Sequence, residues 1–355
     1  MTSLVLTLTE TLRYRGAIGQ WSWVLHRLTG LGVVFFLIIH VIDTSWAAFY
    51  PAQYVEAIAS YQTPLFTIGE FGLVAAVVYH AFNGVRISLF DFRPQWWKHQ
   101  QRAAWFVIGL TIITLLPVFA LMFRHVVNFY NNPASQVMDF DRVILSQLPF
   151  VVGIVVAAIV AIVFSALTGF IAGDKKAVGK GRGSRIERFW WSYMRISGLI
   201  IVPLVFGHLA MMHLVQGVFE LTEAGAPIVG TNVVNVTGTA VEFVQSRWTF
   251  LFAGVAIWRI YDFALLMLVT VHGFNGLRYV LTDYTMSNPL LRRASIYLCV
   301  IGAAILLTLG GGALLSTIDT SAVRIAQQAT CEIHPDYEIC AELGLETEAE
   351  TTEGN

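Results

Sequence analysis

The chain has 355 residues, 56% of them hydrophobic and only 13% charged, and its net charge is −1. That charge fraction is about half of what a soluble domain carries, so the chain reads as an integral protein of the lipid bilayer. Basic residues gather only at the ends of apolar stretches, which is a topology signal rather than a nucleic-acid-binding surface. Met1 to Glu10 lack a basic start, and no cleavable signal peptide is expected there.

A membrane-crossing helix needs roughly 20 mostly apolar residues. Seven stretches qualify, at about 23–48, 66–90, 104–128, 148–172, 190–217, 260–281 and 294–316. Arg13, Arg15 and Arg27 lie before or at the start of the first stretch, whereas 49–65 carries only Glu56. Arg93, Lys98 and Arg102 follow the second stretch, and Asp139, Asp141 and Arg142 follow the third. Lys175, Lys176, Lys180, Arg182, Arg185 and Arg188 fill the next link. Glu220, Glu223 and Glu242 stand against Arg247 and Arg259 in 218–259, and Arg292 and Arg293 close 282–293. Basic and non-basic links alternate, so the N-terminus is expected inside and the C-terminus outside. From 318 onward the chain is acidic, with Arg324 against nine carboxylates, and is expected to be solvated or disordered. Two readings stand for Cys331 and Cys340 in that tail: a disulfide in an oxidising compartment, or two unpaired thiols.

The sequence repeats itself. His80-Ala-Phe-Asn83-Gly84-Val-Arg86 through Asp91 returns as His272-Gly-Phe-Asn275-Gly276-Leu-Arg278 through Asp283, at an offset of 192. Arg27-Leu-Thr29-Gly30 returns as Arg195-Ile-Ser197-Gly198 at an offset of 168, and His40 and His208 share that offset. The chain therefore divides into two parallel three-helix units, 1–130 and 185–317. A connector, 131–184, carries the fourth apolar stretch, and an external tail covers 318–355. The connector is needed because three crossings end the first unit on the far side, and one more returns the chain to the side on which the second must start.

Each unit supplies two intramembrane histidines, His40 and His80, then His208 and His272. Ionisable residues inside a bilayer are rare and usually functional. His80 and His272 each stand eleven residues before an aspartate, roughly 16 Å along a helix and on nearly the same face. These two share one depth, and His40 and His208 share another nearer the outside. Zinc prefers a closed tetrahedral set, while two axial imidazoles from facing helices suit six-coordinate haem iron. Gly30, Gly84, Gly198 and Gly276 allow close approach of helices or a flat macrocycle. Arg86 and Arg278 suit haem propionates. His213, five residues after His208, is expected on a different helix face. His99 and His125 are expected to be solvated at helix ends.

With these residues in place, the chain resembles the membrane anchor, or cytochrome b, of succinate:quinone oxidoreductase and fumarate reductase, respiratory complex II. Trp21-Ser22 through Gly30 and His80 through Asp91 resemble the larger of two small anchor subunits. His272 through Leu281-Thr282-Asp283-Tyr284 resembles the smaller, as though both were fused. The resemblance implies a complex in the cytoplasmic membrane in which a flavoprotein and an iron–sulfur subunit dock on the inner face and carry the dicarboxylate chemistry. It implies two b haems, an inner one on His80 and His272 and an outer one on His40 and His208, with His26 near the inner propionates. It implies a quinone, by haem count a menaquinone, held by Tyr284, Asp283, Arg27, Ser22 and Asp91. Ser22 is one residue off the family's serine position, which Trp23 occupies. A homo-oligomer of the whole complex is compatible with it. The rival in the same field is a two-haem cytochrome b of another quinone-linked oxidoreductase. A retinal protein lacks its lysine in the last apolar stretch, and a transporter with parallel repeats is a further alternative.

Overall fold

In the computed structural model, residues 16–131, 140–172, 185–334 and 340–341 are described, and the side chains of 64, 129, 140–144, 146 and 147 are not. Arg13, Arg15, Asp139, the basic run Lys175 to Arg182 and most acidic residues of the tail lie outside the described residues. Among the described residues the chain is helical, and the extended pairings are two isolated bridges, Pro227 with Val234 and Phe252 with Val255.

The long helices are α1 (Ile18–Phe49), α3 (Pro64–Phe92), α4 (Gln100–Tyr130), α5 (Phe140–Ala172), α6 (Arg185–Leu209), α8 (Ile257–Thr285) and α9 (Pro289–Leu315). All seven contain stretches long and apolar enough to cross a membrane. The shorter helices are α2 (Pro51–Tyr61), α7 (Ala240–Thr249) and α10 (Thr320–Ile333). Local signals set the boundaries. Pro51, Pro64 and Pro289 open α2, α3 and α9 at positions that need no backbone donor. Thr239 caps α7 by accepting from Glu242 N–H, and Asp319 caps α10 by accepting from Ser321 and Ala322 N–H.

Packing orders the bundle. α1 packs on α3, α3 on α6, α6 on α8, and α8 back on α1. These four close a ring, with α4 outside on α3 and α9 outside on α8 and α1. The ring is tight where small residues permit. A Cβ on Gly273 of α8 would meet Val34 of α1 at 3.0 Å, and one on Gly310 of α9 would meet Val41 at 2.8 Å. α5 lies against α9, where Ser165 donates to Leu290 O at 2.6 Å and Phe164 meets Tyr297 edge-on. The fourth apolar stretch is thus docked on the bundle as well as joining its halves.

At the end reached by α1 and α6, helices α2, α7 and α10 and the link 216–256 form an ordered cap. Its apolar side chains, among them Tyr54, Ile58, Ile228, Val241 and Phe243, continue the bundle's core. Asn235, fully buried, ties the link together by donating to Leu221 O and Thr239 O. Burial pushes the Tyr54 hydroxyl well above its usual range. The tail departs from its expected disorder here. Ala322, Ala326 and Ala329 turn one face of α10 into the core against α2, and Cys331 is bridged to Cys340.

Candidate functional site

The ring helices carry the four paired histidines, His40 on α1 (which also holds His26), His80 on α3, His208 on α6 and His272 on α8. All four residues are partly buried within the ring. The His40 and His208 rings stand 6.0 Å apart between centroids, at 77°. Phe36 stacks on His40 at 5.2 Å, and His208 Nδ1 is buried without a hydrogen-bond partner among the described residues. His80 and His272 stand on α3 and α8, the other two helices of the ring. His80 Nδ1 faces His26 O at 3.1 Å and Thr29 Oγ1 at 3.4 Å, while His272 Nδ1 faces Ser197 Oγ at 2.9 Å.

The glycines serve neighbours other than those nearest in sequence. A Cβ on Gly30 would sit 2.8 Å from His80 Cε1, and one on Gly198 3.3 Å from His272 Cε1. Each thus opens a slot for the histidine of the next helix in its own unit. Gly84 faces His26 at 3.6 Å and Gly276 faces Met194 at 3.7 Å. His26 stacks face to face on His80 with centroids 4.0 Å apart.

Two ion pairs cross between the repeats at the end opposite the cap. Arg27 of α1 binds Asp283 of α8, and Arg195 of α6 binds Asp91 of α3 through Nε at 2.9 Å and Nη2 at 2.7 Å. Each guanidinium lies over a tryptophan four residues earlier, Trp23 at 4.2 Å and Trp191 at 4.3 Å. Arg195 was not singled out in the sequence, although the offset that pairs Arg27 with it is the one that pairs His40 with His208. Tyr284, next to Asp283, is 47% exposed. Ser22 is not gathered with them. It is buried between α1 and α3, where its hydroxyl donates to Asn83 Oδ1 at 2.8 Å and lies 3.1 Å from Tyr79. The two arginines of the longer repeat, Arg86 and Arg278, also diverge. Arg278 pairs with Glu187 at 3.1 Å and with Asn275 at 2.9 Å. Arg86 is buried, bonded by Nη1 to Gln100 O at 3.4 Å, with Nε unpartnered among the described residues.

The cap end holds two His–carboxylate pairs that the sequence reading missed, His213 with Glu70 and His125 with Glu220. His125 is therefore paired rather than solvated. His213 returns toward His40 and His208 because Ala210–Val215 forms a π-turn, in which Gln216 N–H bonds Met211 O. An α-helical register had placed it on another face. The signal available was Glu70 itself, an acidic residue inside an apolar stretch. Among the described residues no three His, Cys, Asp or Glu side chains are grouped to hold one metal ion.

The profile of the succinate dehydrogenase/fumarate reductase transmembrane subunits matches residues 8–119 and 175–310. The chain belongs to this family. Among curated relatives, the succinate dehydrogenase 2 membrane subunit SdhC of Mycobacterium tuberculosis is 38% identical over 112 residues, 32% of this chain and 82% of that subunit. The succinate dehydrogenase hydrophobic membrane anchor subunit of Halobacterium salinarum is 30% identical over 74 residues, 21% of this chain. The chain spans 57% of the length of that second relative. No solved structure gives a significant match. As a member of this family, the chain is a multi-pass membrane anchor subunit of a succinate dehydrogenase or fumarate reductase complex. The two matched stretches leave out 120–174, which contains all of α5.

Proposed function

We propose that this chain carries electrons from an iron–sulfur subunit to a membrane quinone, with two b haems held between its three-helix units, 1–130 and 185–317. One observation carries the reading: four histidines stand on four helices that close one ring, with His40 and His208 6.0 Å apart across it. The residues fit the group. Two metal–imidazole bonds of about 2.0 Å can be accommodated between rings whose centroids are 6.0 Å apart, as for His40 and His208. At His80, Nδ1 is engaged by a backbone carbonyl, which leaves Nε2 free to ligate.

His80 and His272 would hold the inner haem, and His40 and His208 the outer one. Arg86, with an unsatisfied Nε, is the foremost propionate partner. Arg278 shares its charge with Glu187, and His26 lines the inner site through its stack on His80. When bound, the haems supply one-electron storage along the path. The rest falls to the chain's own side chains. Arg27, steadied by Asp283 and Trp23, presents a cation to the quinone, and the exposed Tyr284 donates a hydrogen bond to its carbonyl. Both favour the reduced, more negative quinone. Asp91 contributes by holding Arg195, and Ser22 contributes through its contacts with Asn83 and Tyr79 rather than at the quinone. The site suits menaquinone on the strength of two haems.

The flavoprotein and iron–sulfur subunits dock at the Asp91 and Asp283 end, where Trp96, Trp97 and Trp191 are exposed. That end faces inside. The basic loops support this orientation, as does the disulfide on the opposite cap, since such bonds persist in oxidising compartments. The test is a reduced-minus-oxidised optical spectrum with haem quantified per chain. Two b haems are expected, falling to one in His40→Ala, and a complex without a b-type band would sink the proposal.

A further inference from the structure

The repeated Arg-x-Thr/Ser-Gly stretch performs the same three tasks in both copies. Its arginine crosses to the other unit's aspartate, and its glycine opens a slot for the histidine on the next helix. Its hydroxyl stands at that histidine's Nδ1, Thr29 at His80 and Ser197 at His272. The two hydroxyls are not equivalent. A backbone carbonyl can only accept, so His26 O at 3.1 Å makes His80 Nδ1 the donor, and the tautomer of His80 is settled without Thr29. Thr29 also spends its own proton on Leu25 O at 2.7 Å. Among the described residues, His272 Nδ1 has the Ser197 hydroxyl as its partner instead of a carbonyl, and a hydroxyl can donate or accept.

We infer that Ser197 is a positioning residue that fixes the orientation, tautomer and donor strength of His272, while Thr29 is a redundant counterpart at His80. The inference rests on the haem reading above. With Nε2 on the iron, Nδ1–H of His272 donates to Ser197 Oγ. Such a second-shell bond makes the ring a more basic ligand and holds it in place. Removing the acceptor weakens the ligand and disfavours the oxidised, more positive iron.

The test is redox titration of the inner haem in the intact complex. Ser197→Ala is expected to raise its midpoint potential, Ser197→Thr to restore it, and Thr29→Val to shift it by much less. An unmoved potential in Ser197→Ala with full haem content, or an equal shift in Thr29→Val, overturns the inference while leaving the haem reading intact. A wild-type complex without b haem overturns both together. If Ser197→Ala does not assemble, Ser197→Cys carries the same test, because a thiol is a weak acceptor of similar size. An upward shift there supports the inference, and none overturns it.

Discussion

Gly30→Ala is the sharpest probe of the packing that seats His80. An ideal Cβ at Gly30 falls 2.8 Å from His80 Cε1 and 3.3 Å from Nδ1, closer than real Cβ atoms come to a ring carbon. The ring cannot easily swing aside. It is stacked on His26 at 4.0 Å and held by His26 O at 3.1 Å. Overpacking of this kind costs about 1–3 kcal/mol, against roughly 1 kcal/mol returned by replacing a mid-helix glycine with alanine. The net loss is up to about 2 kcal/mol, as much as a roughly 30-fold drop in the correctly seated population. Gly198→Ala meets His272 at 3.3 Å and should be nearly neutral, while Gly32→Ala meets nothing within 4 Å and should stabilise α1 slightly. Haem content at limiting haem, together with the thermal midpoint of the purified complex, separates the three variants. Gly30→Ala behaving like Gly32→Ala would refute the reasoning.

Four further outcomes follow from the geometry. Asp91→Asn should destabilise the bundle more than Asp283→Asn, because the Arg195–Asp91 pair is more enclosed, with side chains 21% and 17% exposed against 21% and 51%. A double-mutant cycle on each pair measures this, and equal coupling energies count against it. Tyr284→Phe should slow quinone reduction about 10-fold, the worth of one hydrogen bond, while the haem spectrum stays unchanged; an altered spectrum would place the residue elsewhere. Cys331→Ser with Cys340→Ser should loosen α10 by about 2–3 kcal/mol, the loop entropy of a bridge spanning nine residues. Hydrogen exchange should rise in α10 and not in α3 or α8. Lowering the pH acts on the same helix. Hydrogen bonds from Ser321 and Ala322 hold the Asp319 carboxyl below its usual range. Its cap therefore stabilises fully above the ordinary carboxylate range and is lost as pH falls through the lowered value, and the protection of α10, corrected for the intrinsic pH dependence of amide exchange, should be the same at mildly acidic and neutral pH.

Much of the site was legible because membrane helices leave few ionisable residues, and those that remain recur at fixed offsets. His40, His80, His208 and His272 are prominent against an apolar background, and the four helices that carry them do form one ring. The seven spans were legible for a related reason, since the bilayer demands long apolar runs with internally satisfied backbones. Arg195 was equally available, because the offset of 168 leads to it directly from Arg27. The partner of Asp91 was not, since a sequence offset names equivalent residues and says nothing of which ones cross between units.

Three features came only with the tertiary structure. The cap has no long periodic pattern. Its helices are short, and its order comes from burial of alanines in α10 and of Asn235 in the link. The tail's acidic composition pointed to solvent, yet alanine spacing on one face of α10 was enough to dock it on α2. The π-turn at Ala210–Val215 shifts His213 from the face that an α-helical count assigns, because one added residue per hydrogen-bonded turn rotates everything beyond it. Local sequence determined where this chain crosses the membrane and which rare residues it carries there. Which histidine each glycine admits, and which aspartate each arginine holds, was decided by contacts between helices up to 256 residues apart, where only the closed ring brings the side chains together.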